Sequence, residues 1–154
     1  MAQGFVCSRS NKARKRIRMI VIDSSFIVSV FVENEENHKR AKEIFQKLIS
    51  KEEDIYVPTL LAPEVTGTIR RVMNDVHFAQ IIEETLKSWM DNIFIPKDLT
   101  EDSMNSAVDS TIRFGLKGGD AVFVSLAKDL NAQLLTFDEE VKKKIKNKIK
   151  LYSL

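Results

Sequence analysis

The stretch MIVIDSSFIV, residues 19 to 28, brings an acidic residue directly to the end of a short apolar run. Met19 to Ile22 are apolar and rich in branched side chains, which is typical of a fully buried β-strand. Asp23 follows at once, and Ser24 or Ser25 is expected to cap a helix that continues to about Val32. A charge at the edge of a core costs free energy unless it is paired, so this pattern indicates a carboxylate with a function.

Strands and helices alternate along the rest of the chain. Further short strands are predicted at 54–57, 93–95 and 133–137, with a last edge strand at 149–152. Apolar periodicity predicts helices at 38–51, 59–74, 75–91, 100–114, 120–130 and 138–148, with a chain break at Gly118-Gly119. This order predicts an α/β fold: a single-domain parallel sheet of four to five strands with helices on both faces.

The composition is that of an ordinary globular domain. The chain has 154 residues, of which 44% are apolar and 30% charged. No apolar run approaches the roughly 20 residues that a membrane helix needs, so no membrane association is expected. A single cysteine, Cys7, fits a reducing compartment, and the expected location is the cytoplasm.

Residues 1–18 differ in charge from the rest of the chain. They hold six basic residues and no acid, which leaves 18 basic and 22 acidic residues in 19–154 and a net charge of −4 there. The expected division is therefore a basic leader at 1–18 and one domain at 19–154. The leader is either an arm that binds nucleic acid or the result of a translation start placed upstream of Met19.

Four acidic residues are predicted to meet at one edge of the sheet. Asp23 and Asp138 follow strands, Asp120 begins a buried helix, and Glu64 lies in the first turns of the helix after the second strand. Each alone is explained as a helix cap or a solvated acid. Together they lie at the carboxyl ends of parallel strands, where sites form. Because clustered carboxylates repel one another, a hard divalent cation, Mg²⁺ or Mn²⁺, is the expected ligand.

Three segments that carry these acids resemble the PIN-domain family, and more closely the VapC-like toxin ribonucleases. They are MIVIDSSFIV with Asp23, LLAPEVTGTIRR with Glu64, and GGDAVFVSLAKDLNAQLLTFD with Asp120 and Asp138. The resemblance covers residues 19–154 and implies a metal-dependent endoribonuclease in which these four acids are the catalytic metal ligands. The hydroxyls of Ser24, Ser25 and Thr136 would then orient the ligands.

An acidic pocket repels RNA, so basic groups must offset it. Arg71 lies two helical turns after Glu64, and Lys117 precedes Asp120. Both are predicted to contact substrate phosphates. The lysines between 142 and 150 are interpreted as solvating the last helix.

Three functions are compatible with these residues. The resemblance favours a toxin with a small antitoxin partner; a housekeeping RNA-processing nuclease and a non-catalytic binding module of the same fold remain open. The apolar stripes of the helices at 38–51 and 59–90 are expected to bind the antitoxin or to form a homodimer.

Overall fold

Four parallel strands form the sheet of the protein, whose computed structural model describes residues 16–153. The strands are β1 (Met19–Ile22), β2 (Asp54–Pro58), β3 (Phe94–Lys97) and β4 (Gln133–Leu135). Their order is β3-β2-β1-β4, and every neighbouring pair is parallel. The predicted fold class is confirmed. This order places the ends of β1 and β4 side by side, although more than 100 residues separate them in the sequence.

Seven helices connect and cover the strands within the described residues. They are α1 (Ser24–Phe31), α2 (His38–Ser50), α3 (Leu61–Met73), α4 (Val76–Asn92), α5 (Glu101–Phe114), α6 (Gly118–Leu130) and α7 (Glu139–Ile145). None of these helices within 16–153 is long and apolar enough to cross a membrane.

The central strand is covered on both faces. Ile20, Val21 and Ile22 of β1 are all fully buried, although successive side chains of a strand point to opposite faces. Helix α6 packs against β1, β2 and β4, and α5 packs against α6. A parallel sheet buried in this way explains why its strands read as continuous apolar runs rather than alternating ones.

An aromatic cluster joins the helices that precede β3. Phe45 of α2 contacts Phe26 of α1, Trp89 of α4 and Phe94 of β3, with ring centroids 4.8–6.4 Å apart. Ala41, Ile44 and Leu48 of the α2 stripe are buried as well, and Ile49 at its end is 41% exposed. The expectation that the stripe at 38–51 forms a partner surface is therefore wrong, because the chain's own core uses it.

Two predicted helix starts are corrected by the structure. Asp23 itself caps α1, since its Oδ1 accepts a hydrogen bond of 3.1 Å from the Phe26 amide; neither Ser24 nor Ser25 is the cap. Gly118 and Gly119 do not break the chain but form the first turn of α6. A helix tolerates glycine in its first turn, so a glycine pair did not mark a boundary there.

The last segment is shorter in regular structure than predicted. Helix α7 ends at Ile145, because Lys146 leaves the helical conformation with ψ 127° and Asn147 is left-handed with φ 64°, so the helix does not continue to 148. The expected edge strand at 149–152 is reduced to one parallel bridge between Leu134 and Leu151. Pairing with β4 is therefore brief: the Leu134 amide donates to the Lys150 carbonyl, and the Leu134 carbonyl accepts from the Tyr152 amide.

Arg18 belongs to the folded body. Its guanidinium Nε lies 3.1 Å from Glu53 Oε1, its amide donates to Glu53 Oε2, and its carbonyl accepts from the Asp54 amide. The rest of the predicted leader falls largely on residues 1–15, which lie outside the described residues.

Candidate active site

Three of the four predicted acids line one cavity of about 320 Å³. Asp23 lies at the end of β1, Asp120 in the first turn of α6 and Asp138 at the start of α7. Ser24 and Ser25 line the same cavity. The cavity lies beyond the carboxyl ends of β1 and β4, where the topology of a parallel sheet places sites.

The Asp23 carboxylate is the most buried of the group, with 7% of the residue exposed. Burial raises the pKa of Asp23 to about 6; hydrogen bonds from Thr136, Ser25 and the Phe26 amide oppose this rise, and the charge of Asp120 adds to it. Asp23 thus combines a structural capping role with a carboxylate that is costly to ionise without a cation.

Ser25 links the start of α1 to the segment that follows β4. Its Oγ donates a hydrogen bond of 2.7 Å to Asp23 Oδ1 and accepts one of 3.1 Å from the Phe137 amide. Thr136 Oγ1 lies 3.3 Å from the same hydroxyl and accepts from the Asp138 amide at 3.0 Å. These contacts fix Asp23 and Asp138 relative to each other. Ser24 lines the cavity without taking part in this link.

Asp138 serves as a helix cap and also faces the cavity. Its Oδ1 accepts hydrogen bonds from the amides of Glu140 at 2.9 Å and Val141 at 3.1 Å. The two interpretations of this residue from the sequence therefore do not exclude each other. Capping holds the carboxylate at the cavity wall.

Asp120 is the electrostatic centre of the group. Burial raises its pKa, and the charges of Asp138 and Glu64 add to that rise, whereas Lys117 and Lys144 lower it. Asp120 in turn raises the pKa of Asp23. The four acids therefore share one electrostatic field, although they come from four separate segments.

Glu64 reaches this group from the first turn of α3. Its Oε1 lies 3.0 Å from the position that a Cβ atom would occupy at Gly119, next to Asp120. The absence of a side chain at Gly119 thus gives the Glu64 carboxylate room beside α6. The second glycine of the pair has a packing role that its position in the sequence did not reveal.

The two predicted phosphate contacts lie at the rim. Arg71 donates a 3.2 Å hydrogen bond to the hydroxyl of Thr68, which lines the cavity. Lys117 is exposed and immediately precedes α6. Both positions are compatible with contact to an anion at the cavity mouth.

The structure adds residues to the site that the sequence did not predict. Glu35 and Asn37, in the loop between α1 and α2, also line the cavity, and a polar turn carries no signal of this. Lys144 donates a 2.9 Å hydrogen bond to the Gly115 carbonyl and pairs with Glu140 at 3.0 Å. It therefore ties α7 to the loop before α6, whereas its place in a lysine-rich helix suggested solvation alone.

The donor set fits a hard cation in its chemistry. Among residues 16–153, no three carboxylate, imidazole or thiol side chains stand close enough together to coordinate one ion directly as they are placed. Mg²⁺ usually keeps several water ligands and takes only one or two carboxylates directly. Oxygen donors whose pKa values are raised by burial and mutual repulsion are suited to such an ion, since its charge relieves that repulsion.

Solved structures with the same fold include a toxin and a toxin–antitoxin complex. VapC20 of Mycobacterium tuberculosis, a toxin that cleaves the sarcin-ricin loop, has a TM-score of 0.67 and 17% identity over 80% of this chain and 93% of its own. A toxin–antitoxin complex from Klebsiella pneumoniae gives 0.63 and 16% over 87% and 96%. VapBC2 of Rickettsia felis, bound to a DNA fragment of its promoter, gives 0.63 and 13% over 88% and 98%. At these identities the similarity establishes the fold.

Comparison with curated protein sequences finds no match. The model of the PIN domain, in contrast, matches residues 20–147, a range that contains all four acids of the candidate site. This match covers well over half of the 154 residues. The chain therefore belongs to the PIN domain family.

Proposed function

We propose that this protein is a Mg²⁺- or Mn²⁺-dependent endoribonuclease that hydrolyses phosphodiester bonds of RNA, and that it is the toxin of a toxin–antitoxin pair. The observation that carries the proposal is the convergence of Asp23, Asp120 and Asp138 on one cavity of a PIN domain, with Glu64 near enough to raise the pKa of Asp120. The structural similarity to VapC20, a toxin that cleaves the sarcin-ricin loop, supports the choice of substrate class.

All four acids take part in binding the cation in this proposal. Asp23, Glu64 and Asp120 would hold the cation, directly or through water ligands, and Asp138 would complete the set or hold a second ion. When bound, the cation would activate water for attack on the phosphodiester and stabilise charge on the leaving oxygen.

The hydroxyls keep these ligands in position. Ser25 and Thr136 lower the pKa of Asp23, so they favour the ionised form that a cation needs. Ser24, at the cavity wall, is the remaining hydroxyl that would orient a ligand or a water. Arg71 and Lys117 at the rim would contact phosphates and offset the negative charge of the cavity.

Cleavage of a labelled RNA pool tests the activity. Cleavage is expected with Mg²⁺ or Mn²⁺ and is expected to fall to background with EDTA or in Asp120→Asn. Asp109→Asn makes the same change at an exposed position of α5 and should keep wild-type activity. Cleavage that persists in EDTA and in Asp120→Asn would contradict the proposal.

The toxin role is tested in cells. Expression should arrest growth, and Asp23→Asn should relieve the arrest at an equal protein level. Normal growth of cells that make active wild-type enzyme would instead favour an RNA-processing nuclease.

Two exposed apolar surfaces are suited to the proposed protein partners. Val72, Val76 and Ile81 of α3 and α4 are 44–56% exposed, and Met104, Val108 and Ile112 form a stripe along α5 that is 42–79% exposed. We assign these surfaces to a small antitoxin and to a second copy of the chain. Light scattering of Val76→Glu and Ile112→Glu, alone and with the antitoxin, will separate the two contacts, since each variant should abolish one of them.

A further inference from the structure

A second cavity, of about 260 Å³, adjoins the candidate active site. Arg40 and Ile44 of α2, Lys142 of α7, and Tyr152 line it. Phe137 lines both cavities, and Thr136, whose hydroxyl lies beside that of Ser25, forms part of the second wall. We propose that this second cavity binds a single-stranded segment of the RNA substrate next to the cleaved bond. The inference rests on the proposed ribonuclease function.

The charge of the cavity favours a polyanion. Its lining contains two cations, Arg40 and Lys142, and no acidic residue. The Arg40 guanidinium carbon lies 5.6 Å from the ring centroid of Phe137, so this charge is held at the wall that the two cavities share. A phosphate there would lie beside the acidic site without facing its carboxylates.

The second cation is available for exchange. Lys142 Nζ lies 3.1 Å from Glu139 Oε1, but the Glu139 side chain is 74% exposed. An exposed pair of this kind contributes little stability, because water screens it. A phosphate can therefore replace Glu139 as the partner of Lys142 at small cost.

Aromatic side chains complete a surface for nucleotides. Phe137 and Tyr152 line the same cavity, with Arg40 over the Phe137 ring and Arg18 over the Tyr152 ring at 5.0 Å. Single-stranded nucleic acids bind to other proteins through aromatic side chains combined with basic groups. Residues 150–152 run along the outer edge of β4, where the Leu134 amide donates to the Lys150 carbonyl at 2.8 Å and the Leu134 carbonyl accepts from the Tyr152 amide at 2.9 Å. This pairing fixes Tyr152 beside β4, at the wall of the second cavity.

Continuity with the acidic cavity distinguishes RNA from a separate small anion. A chain molecule can occupy two adjoining cavities at once, whereas one small anion fills only one of them. The scissile phosphate would lie with the acids and their cation, and a neighbouring phosphate with Arg40 and Lys142. The lysine-rich last helix then binds substrate through Lys142, in contrast to the solvating role expected for it.

The test measures binding of a labelled single-stranded RNA to the full chain by fluorescence anisotropy in EDTA, where cleavage does not interfere. The double variant Arg40→Ala/Lys142→Ala should bind at least tenfold more weakly. Its slope of log K against log salt should fall by about 1.4, because each lost phosphate contact on a single strand removes about 0.7. Glu139→Gln should bind more tightly than wild type, since it removes the competing carboxylate.

A matched control removes the same charges one residue away. Lys39 and Lys143 are exposed neighbours on α2 and α7 that do not line the cavity. Lys39→Ala/Lys143→Ala should stay within about twofold of wild type. Equal losses in the two double variants would overturn the inference, because they would reveal general charge attraction only. Displacement of the RNA by polyglutamate at an equal concentration of negative charge would also overturn the inference, because it would show that the second cavity binds an acidic peptide.

Failure of the inference and failure of the proposed function give different results. A selective loss of RNA binding without any cleavage by the wild type would support the second cavity and contradict the nuclease. Metal-dependent cleavage with identical RNA affinity in Arg40→Ala/Lys142→Ala would support the nuclease and contradict the second cavity. Thermal unfolding of every variant identifies any loss that arises from misfolding.

Discussion

Glu64 and Gly119 lie so close together that a Cβ atom at Gly119 would be 3.0 Å from Oε1 of Glu64. Such a contact is shorter than ordinary van der Waals separation, so the carboxylate would have to move by a few tenths of an ångström. The neighbouring Gly118 has nothing within 4 Å of its own Cβ position. The glycine pair therefore provides two adjacent positions in one helix turn that differ only in their contact with the site.

Gly119→Ala is expected to lower the proposed ribonuclease activity roughly tenfold, because displacing a proposed metal ligand by a fraction of an ångström is costly. Gly118→Ala should keep wild-type activity. Both variants should unfold at or slightly above the wild-type temperature, since alanine is the better helix former. Steady-state cleavage and thermal unfolding measure the two effects. Equal activity of the two variants would show that Glu64 has no need of the space.

Ser25→Ala should destabilise the protein more than Ser24→Ala. Ser25 donates a hydrogen bond to Asp23 and accepts one from the Phe137 amide, so its loss leaves that amide without this acceptor and removes one donor from the buried Asp23 carboxylate. The expected cost is about 1–3 kcal/mol. At about 2–4 °C per kcal/mol for a chain of this size, Tm should fall by several degrees.

Ser24→Ala is the control for this experiment, because Ser24 lies beside Ser25 and lines the cavity without linking α1 to the β4 end. The free energy of unfolding of Ser24→Ala should differ from that of the wild type by less than about 1 kcal/mol. A larger fall in Ser24→Ala than in Ser25→Ala would reverse the assignment of the two hydroxyls.

Asp23→Asn should stabilise the metal-free protein at neutral pH. Burial raises the pKa of Asp23 to about 6, so the native state binds this proton more tightly than the unfolded state. Wild-type stability is therefore lost as pH rises from about 3.8 to 6, by roughly 3 kcal/mol at most. Asparagine keeps a capping oxygen but carries no charge. Urea unfolding in EDTA between pH 4 and 8 should show a gain for Asp23→Asn above pH 6 that vanishes near pH 4.

Asp75→Asn provides the comparison, since Asp75 caps α4 at an exposed position with a 2.9 Å bond from the Phe78 amide. Its effect on stability should be small, because the residue is exposed. Added Mn²⁺ should stabilise the wild type and stabilise Asp23→Asn less, because a ligand that binds only the native state raises its stability. An unchanged difference between Asp23→Asn and wild type across the pH range would contradict this account.

Lys144→Met should shift the pH dependence of cleavage. Lys144 lowers the pKa of Asp120 and holds the Gly115 carbonyl, so its loss removes both a favourable charge and a tie to the loop before α6. The acidic limb of the rate profile should move to higher pH. Lys143→Met removes an equal charge from the exposed side of α7 and should leave the profile in place. If Lys144→Met and the wild type have the same dependence of cleavage rate on pH, Lys144 only solvates the helix.

Local patterns in the sequence predicted most strands and helices and the positions of the acidic site residues at their ends. Continuous apolar runs predicted the strands, and helical periodicity predicted the helices, because both depend on residues within a few positions of one another. Asp23, Asp120 and Asp138 were placed at strand ends or helix starts by the same local signals. The segments around these acids also sufficed to identify the PIN domain family.

Tertiary structure alone decided which groups meet. The link from Ser25 to Thr136 spans 111 residues and exists only because β4 pairs beside β1. The space that Gly119 gives to Glu64, the tie from Lys144 to Gly115, and the cavity between Arg40 and Lys142 likewise join segments that no local pattern connects. Propensity and periodicity act along the chain over a turn or a strand. Contact between distant side chains follows from strand order and packing, which are settled only when the core forms.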